Sequence, residues 1–138
     1  MEWNTLLSSS RIGKDIPQSY KDKRYSRSEF EKDYCRIVCS ASFRRLQDKT
    51  QVFPLDKSDF VRTRLTHSLE TASFAKELGD MALKKIQDNC LGKYGELPEN
   101  INSIPDILMC AGMLHDIGNP PFGHFGEVVI GDWFKEIL

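Results

Sequence analysis

The sequence has few cysteines, no long apolar run and no extreme of charge. Its four cysteines include no C-x-x-C pair, so neither a zinc knuckle nor a thiol redox motif is indicated. We therefore expect reduced, mostly buried thiols at Cys35, Cys39, Cys90 and Cys110. No apolar stretch approaches the roughly 20 residues of a membrane span, and the N-terminus lacks the basic start and long apolar segment of a signal peptide. These absences predict a cytoplasmic protein with no membrane partner.

Composition places the chain among soluble globular domains. Hydrophobic residues make up 40% and charged residues 28% of its 138 residues, which is unlike a disordered chain. The net charge is only −1, but residues 1–64 carry 14 Lys+Arg against 9 Asp+Glu, whereas residues 65–138 carry 5 against 11. The basic half could receive an anionic substrate, although a solvated surface explains much of it equally well. No nucleic-acid reader motif is recognised, so nucleic acid stays an open alternative.

Hydrophobic periodicity predicts mostly helices. Residues 1–25 are polar and are expected to form an irregular arm that wraps over a helical core at residues 26–138. Ser26 and Glu29 resemble a capping box, after which a helix runs to about Phe43 on the apolar face of residues 30–41. A long helix follows at roughly residues 60–89. Because this helix carries two apolar faces, we expect it to be central.

Two segments interrupt the helices. Residues 50–54 are expected to form a loop, a very short strand or a hairpin, and residues 91–104, rich in Gly, Asn and Pro, a linker. Ser103 then caps a helix that ends at His115, and the last helix begins near Gly123.

Three potential metal ligands come from two parts of the chain. His115 and Asp116 are adjacent at a helix end, where their side chains can converge on one ion. His115 follows Ala111 by four residues and is therefore expected on the buried side of its helix. His67 lies on the long central helix. Two imidazoles and a carboxylate predict a divalent metal site, for which Mn²⁺, Mg²⁺, Fe²⁺ and Zn²⁺ are all compatible.

A second pair follows the glycine- and proline-rich turn. His124 and Glu127 share one face of a new helix, a spacing that lets a carboxylate orient an imidazole for proton transfer. Arg64 lies one turn before His67, and its guanidinium fits phosphate oxygens. A lone histidine is usually a core residue and a lone arginine usually a surface ion pair. The combination of H-D, a Gly/Pro turn and H-x-x-E favours a catalytic site over those interpretations.

These residues closely resemble the deoxyguanosine triphosphate triphosphohydrolase family of the HD superfamily. The matching motifs are R-x-x-x-S-x-x-F-R-R-L-Q-D-K-T-Q-V at residues 36–52, T-R-L-T-H-S-L-E at 63–70 and H-D-I-G-N-P-P-F-G-H-x-G-E at 115–127. The resemblance implies an all-α fold, the helical core of an HD domain. It also implies hydrolysis of a deoxynucleoside triphosphate, dGTP in the first place, to the deoxynucleoside and inorganic triphosphate.

The resemblance also implies a role for each of seven residues. They are the metal ligands His67, His115 and Asp116, the catalytic pair His124 and Glu127, the phosphate-binding Arg64 and the deoxyribose-contacting Gln51. The family's last metal ligand is an aspartate far downstream, so the chain is expected to be the N-terminal portion of a larger enzyme. Asp132 is not assigned to that role.

Alternatives stay open beside this interpretation. One keeps HD chemistry with another nucleotide, such as a nucleoside monophosphate or a cyclic nucleotide, although the motif at residues 43–52 argues against it. Another is an inactive metal-binding or assembly fragment. We also expect a homo-oligomer, with apolar side chains left exposed around Phe60, Phe74, Val128 and Phe134 unless another chain covers them.

Overall fold

The structure is a computed structural model in which α-helices account for most of the described chain. It describes residues 3–12, 27–51, 60–90, 98, 100–120 and 122–138. The helices are α1 (Trp3–Leu6), α2 (Glu29–Cys39), α3 (Ala41–Arg44), α4 (Arg64–Cys90), α5 (Ile104–Leu114) and α6 (Gly123–Ile137), with 3-10 turns at Arg45–Asp48 and Ile101–Ser103. The all-α prediction is confirmed. None of the helices within these ranges is long and apolar enough to cross a bilayer.

The only trace of β structure in the described residues is one antiparallel bridge between Thr50 and Thr63. It is extended by backbone hydrogen bonds from Gln51 N to Arg62 O, at 3.2 Å, and from Arg64 N to Lys49 O, at 2.8 Å. The chain just before α4 is thereby attached to residues 49–51. The remainder of the predicted short strand or hairpin lies outside the described residues.

Helix α2 begins with a capping box, but at a different pair from the predicted one. Ser28 Oγ accepts a hydrogen bond from Glu31 N at 3.0 Å, and Glu31 Oε2 accepts one from Ser28 N at 2.6 Å. Glu29 is instead the first residue of the helix, and Ser26 lies outside the described residues. Both pairs have the S-x-x-E spacing, so the sequence pattern alone does not distinguish them.

The predicted single helix to Phe43 is wrong, because the chain breaks at Ser40. This residue has an extended backbone, and its Oγ accepts a hydrogen bond from Phe43 N at 3.2 Å, which caps α3. Helix α4 likewise begins at Arg64, later than predicted. Thr63 and Thr66 each accept a hydrogen bond from the other's backbone N–H, at 3.2 and 3.0 Å, and so satisfy the donors of its first turn.

The core lies between α2, α3, α4 and α5. Its buried residues are Phe43, Leu46, Ala72 and Met113, against which Tyr34, Ile37, Val38, Leu65, Met109 and Ile117 pack. Cys110 is buried and unpaired, but Cys35 and Cys39 are exposed, so the prediction of buried thiols is wrong for those two. They lie on the outer side of α2 because the larger apolar side chains of that helix occupy the inner side. The side chain of Cys90 is outside the described set.

Helices α4 and α5 approach each other closely at two glycines. A Cβ added at Gly112 would lie 2.8 Å from the Cα of Ala72, and one added at Gly79 would lie 2.8 Å from the Cα of Pro105. Lys76 Nζ also bonds Asp106 Oδ1 across this interface at 3.1 Å. This packing fixes the distance between the two helices that carry the candidate metal ligands.

The predicted inner face of α5 is wrong. Ala111 and Leu114 are exposed, whereas the buried residues are Pro105, Cys110, Gly112 and Met113. Nearly every position of α5 is apolar, so periodicity could not choose a face. The close approach of Gly112 to α4 determines which face of α5 is buried. It turns the Ala111 side, and with it His115, away from the interior.

The N-terminal arm contains the short helix α1 where an irregular chain is predicted, and it lies against the core. Leu7 is buried, and its carbonyl oxygen accepts a hydrogen bond from Asn100 Nδ2 at 3.0 Å. The guanidinium of Arg11 bonds Asp33 and lies over the Phe30 ring, 5.0 Å from its centroid. The described part of the arm therefore packs against the core.

No residue of α6 is buried in the described structure. Its apolar side chains are open to solvent and include Phe125, Val128, Val129, Trp133 and Phe134. Phe60 and Phe74 are exposed as well, so all four apolar positions expected at the surface are found there.

Candidate metal centre

His67, His115 and Asp116 converge as predicted. Each offers one ligand atom, and these atoms all lie within 4.8 Å of one another. His67 comes from the first turn of α4, while the other two follow directly after α5. The imidazole rings meet edge to face, with centroids 5.2 Å apart. Ligand atoms at about 2.0–2.2 Å from one ion lie within about 4.4 Å of each other, so small side-chain rotations suffice.

The orientation of His115 is fixed by the helix that precedes it. Its Nδ1 lies 2.6 Å from the carbonyl oxygen of Gly112. Because a carbonyl can only accept, Nδ1 must carry the hydrogen, and Nε2 is left with a free lone pair. Nε2 lies 3.9 Å from Asp116 Oδ1, on the side where the other candidate ligands converge. A histidine that donates one ring N–H to a backbone carbonyl is a common arrangement for a metal ligand.

Asp116 is buried, and its two oxygens differ. Oδ1 accepts a hydrogen bond from Asn119 Nδ2 at 2.8 Å and lies 4.0 Å from Arg64 Nη1. Oδ2 is buried and has no hydrogen-bond partner among the described residues. A buried carboxylate oxygen without a partner is costly, and a divalent cation would compensate for it. The donor set and this orphaned oxygen therefore fit a metal.

Arg64 lies at the edge of this cluster, beside Asp116. Arg64 is half-buried with its guanidinium beside Asp116, as expected of a positive charge next to the ligands. Gln51 is joined to the start of α4 by the short backbone pairing with Arg62. The Oε1 of Gln51 is buried and also has no hydrogen-bond partner in the described part of the chain. An unpaired amide oxygen here can accept a hydrogen bond from a ligand.

His124 and Glu127 form the predicted pair, with Nδ1 and Oε2 3.1 Å apart. The His124 side chain is nevertheless fully exposed and that of Glu127 half exposed. Among the described residues, no hydrogen bond or ion pair joins this pair to the three candidate ligands. The contact between His124 and Glu127 is therefore observed, whereas the position of this pair in one cleft with the metal ligands stays a prediction.

Two contributors to this site were not identified from the sequence. Asn119 was missed although it lies three residues after Asp116, a spacing that suits a side-chain hydrogen bond across a turn. Gly112 was missed because its role depends on the close approach of another helix.

The comparisons with known proteins agree with this geometry. Residues 64–137 match the HD domain family. A protein of Listeria innocua named deoxyguanosinetriphosphate triphosphohydrolase-like protein is 54% identical over 138 residues, all of this chain and 29% of the relative. One of the same name from Synechocystis is 46% identical over 136 residues, 99% of this chain and 29% of the relative. A deoxyguanosinetriphosphate triphosphohydrolase of Enterobacter is 44% identical over 122 residues, 88% of this chain and 24% of the relative. The chain thus spans less than a third of the length of these relatives.

Proposed function

Because the chain belongs to the HD domain family, we propose that it supplies most of the active site of a metal-dependent deoxynucleoside triphosphate triphosphohydrolase. The observation that carries the proposal is the convergence of His67, His115 and Asp116, with one buried Asp116 oxygen left unpaired. The names of the relatives favour dGTP as substrate and the deoxynucleoside plus inorganic triphosphate as products.

The three ligands would hold a divalent cation, either Mn²⁺, Mg²⁺, Fe²⁺ or Zn²⁺. When bound, such an ion supplies charge stabilisation at a phosphate oxygen and favours formation of a nucleophile from water. The protein's part is to hold a ring nitrogen of His67, Nε2 of His115 and a carboxylate oxygen of Asp116 in place beforehand. The Gly112 carbonyl does this for His115, and the close packing of α4 on α5 does it for His67.

Arg64 would bind the phosphates. Its guanidinium lies beside Asp116 at 4.0 Å, longer than a direct hydrogen bond, so its N–H groups can turn toward a phosphate oxygen. A fixed positive charge at the phosphates stabilises the negative charge that develops during transfer. Gln51 would accept a hydrogen bond from the deoxyribose through its unpaired Oε1.

His124 would move the proton, with Glu127 holding its ring. The 3.1 Å contact at Nδ1 leaves Nε2 directed away from the carboxylate, where it can exchange a proton with an oxygen at the α-phosphate. This role requires α6 to bring His124 within hydrogen-bond reach of a phosphate held at the three ligands. The exposure of α6 is compatible with such a movement.

The exposed apolar residues of α6 support association with another copy of the chain. Trp133 and Phe134 are each about half exposed, at 56% and 51%, and pack edge to face on one another. Apolar patches of this kind mark protein interfaces more often than free surface. A homo-oligomer in which α6 is covered is therefore part of the proposal.

The test is to identify the products that the full-length protein releases from dGTP. Phosphorus NMR separates inorganic triphosphate from pyrophosphate and orthophosphate. We expect triphosphate in the presence of Mn²⁺, its loss in Asp116→Ala, and its retention in Asp132→Ala, which removes an exposed carboxylate on α6. Release of orthophosphate or pyrophosphate would point to another nucleotide chemistry. Equal activity in Asp116→Ala would contradict the proposed site.

A further inference from the structure

The Asp116 carboxylate is held from one side only. Asn119 Nδ2 donates to Oδ1 at 2.8 Å, within the range of a charge-assisted hydrogen bond. Two other nitrogen atoms, Arg64 Nη1 and His115 Nε2, are 4.0 and 3.9 Å from the same Oδ1. Oδ2 has no partner in the described residues. The carboxylate therefore has one anchored oxygen and one free oxygen.

We propose that Asn119 is a positioning residue that holds the Asp116 carboxylate in the orientation in which it binds the metal. The inference rests on the metal site of the proposed function. A carboxylate can rotate about its Cβ–Cγ bond, and a free rotor would lose conformational entropy when it binds an ion. A hydrogen bond to Oδ1 reduces that freedom beforehand, because it fixes the plane of the group. Each carboxylate oxygen still keeps at least one lone pair for the ion.

The backbone around Asn119 holds the amide in turn. Gly118, before it, has φ +90°, a conformation that a side chain rarely adopts, and nothing lies within 4 Å of where its Cβ would be. Pro120, after it, restricts residue 119 to extended conformations. Pro120 therefore limits the backbone conformations from which the Asn119 side chain can leave the turn. The Asn119 amide is thus oriented in advance to donate to Asp116.

A purely structural role for Asn119 makes a different prediction. If the 2.8 Å bond only stabilised the turn after α5, its removal would lower the free energy of unfolding and leave the affinity for metal unchanged. If the bond orients a ligand, its removal weakens metal binding. Loss of a group that orients a metal ligand typically reduces affinity about 10- to 100-fold.

The experiment measures the dissociation constant for Mn²⁺ and the thermal unfolding temperature in the full-length protein. Asn119→Ala removes the donor, and Asn119→Gln retains an amide on a longer side chain. Asn102→Ala is the matched control, since Asn102 is exposed and bonds only Gln87 at 3.1 Å in the described structure. We expect Mn²⁺ binding to weaken about 10- to 100-fold in Asn119→Ala, to recover in part in Asn119→Gln, and to be unchanged in Asn102→Ala.

The outcomes separate this inference from the proposed function. If wild type binds Mn²⁺ and Asn119→Ala binds it equally tightly, the inference is wrong and the metal site stands. If wild type binds no Mn²⁺, the proposed metal site fails and the inference fails with it. Should Asn119→Ala not fold, Asn119→Ser decides, because serine keeps a preference for turns while its hydroxyl falls short of Asp116. Wild-type affinity in that variant would overturn the inference.

Discussion

Gly112 lies directly against the backbone of Ala72, so that a Cβ at position 112 would sit 2.8 Å from the Ala72 Cα and 3.0 Å from its nitrogen. This contact sets the distance between α4 and α5. His67 is on the first of these helices, and His115 follows the second. The Gly112 carbonyl also receives the His115 ring hydrogen, so one residue controls both the spacing and the orientation of the ligands.

Gly112→Ala should therefore destabilise the fold and weaken the metal site together. The added methyl group meets backbone atoms, which cannot rotate away, and overpacking of this kind costs about 1–3 kcal/mol. The matched control is Gly131→Ala, at a helical glycine with nothing within 4 Å of its Cβ position, where we expect unchanged or slightly increased stability. Urea unfolding and Mn²⁺ titration check both effects. Equal stability of the two variants would show that α4 and α5 can separate at no cost.

The lowered pKa of Asp33 leads us to expect that the free energy of unfolding depends on pH. Burial alone would raise the pKa of this carboxyl, but hydrogen bonds and charge from Arg11 and Arg36 outweigh burial and lower the pKa below its ordinary value. Its contribution is therefore present above the unfolded-state pKa, about 3.9, and is lost as the pH falls through the lower folded-state pKa. Asp33→Asn should cost roughly 1 kcal/mol at neutral pH, and the difference from wild type should shrink below pH of about 4. A difference that stays constant down to acid pH would contradict this assignment.

His124 predicts a loss of turnover without a loss of metal. In the full-length protein, His124→Ala should lower kcat by roughly 10²–10⁴-fold, the usual value of general acid–base catalysis, while Mn²⁺ content stays normal. Glu127→Gln retains the shape of its side chain but removes the charge at the 3.1 Å contact, and should give a smaller loss. The pair of measurements is kcat and metal content by mass spectrometry. A His124→Ala protein that has lost its metal would make His124 a ligand instead.

The exposed surface of α6 predicts self-association of the 138-residue chain. We expect its molar mass in light scattering to exceed that of a monomer, with little or no dGTP hydrolysis in Mn²⁺. Trp133→Lys should shift the mass toward the monomer, whereas Glu136→Lys, at an exposed polar position of the same helix, should not. A monomeric chain that hydrolyses dGTP as fast as the full-length protein would contradict both expectations.

The sequence predicts the chemistry of this site better than its packing. The convergence of His67, His115 and Asp116 could be predicted because the chain has only three histidines, and one of them adjoins an aspartate at a predicted helix end. The buried face of α5 could not be predicted, because an almost wholly apolar helix has no polar side that marks the solvent-exposed face. The first residue of α2 could not be predicted either, since Ser26 and Ser28 both precede a glutamate by three residues. Only the hydrogen bonds of the observed capping box distinguish them.

The central claim is that His67, His115 and Asp116 hold one divalent ion. The most direct measurement is anomalous diffraction at the manganese edge from crystals of the full-length protein grown with Mn²⁺. We expect a single peak about 2.0–2.2 Å from a ring nitrogen of His67, Nε2 of His115 and a carboxylate oxygen of Asp116. A peak at other residues, or none under conditions in which the protein is active, would contradict it.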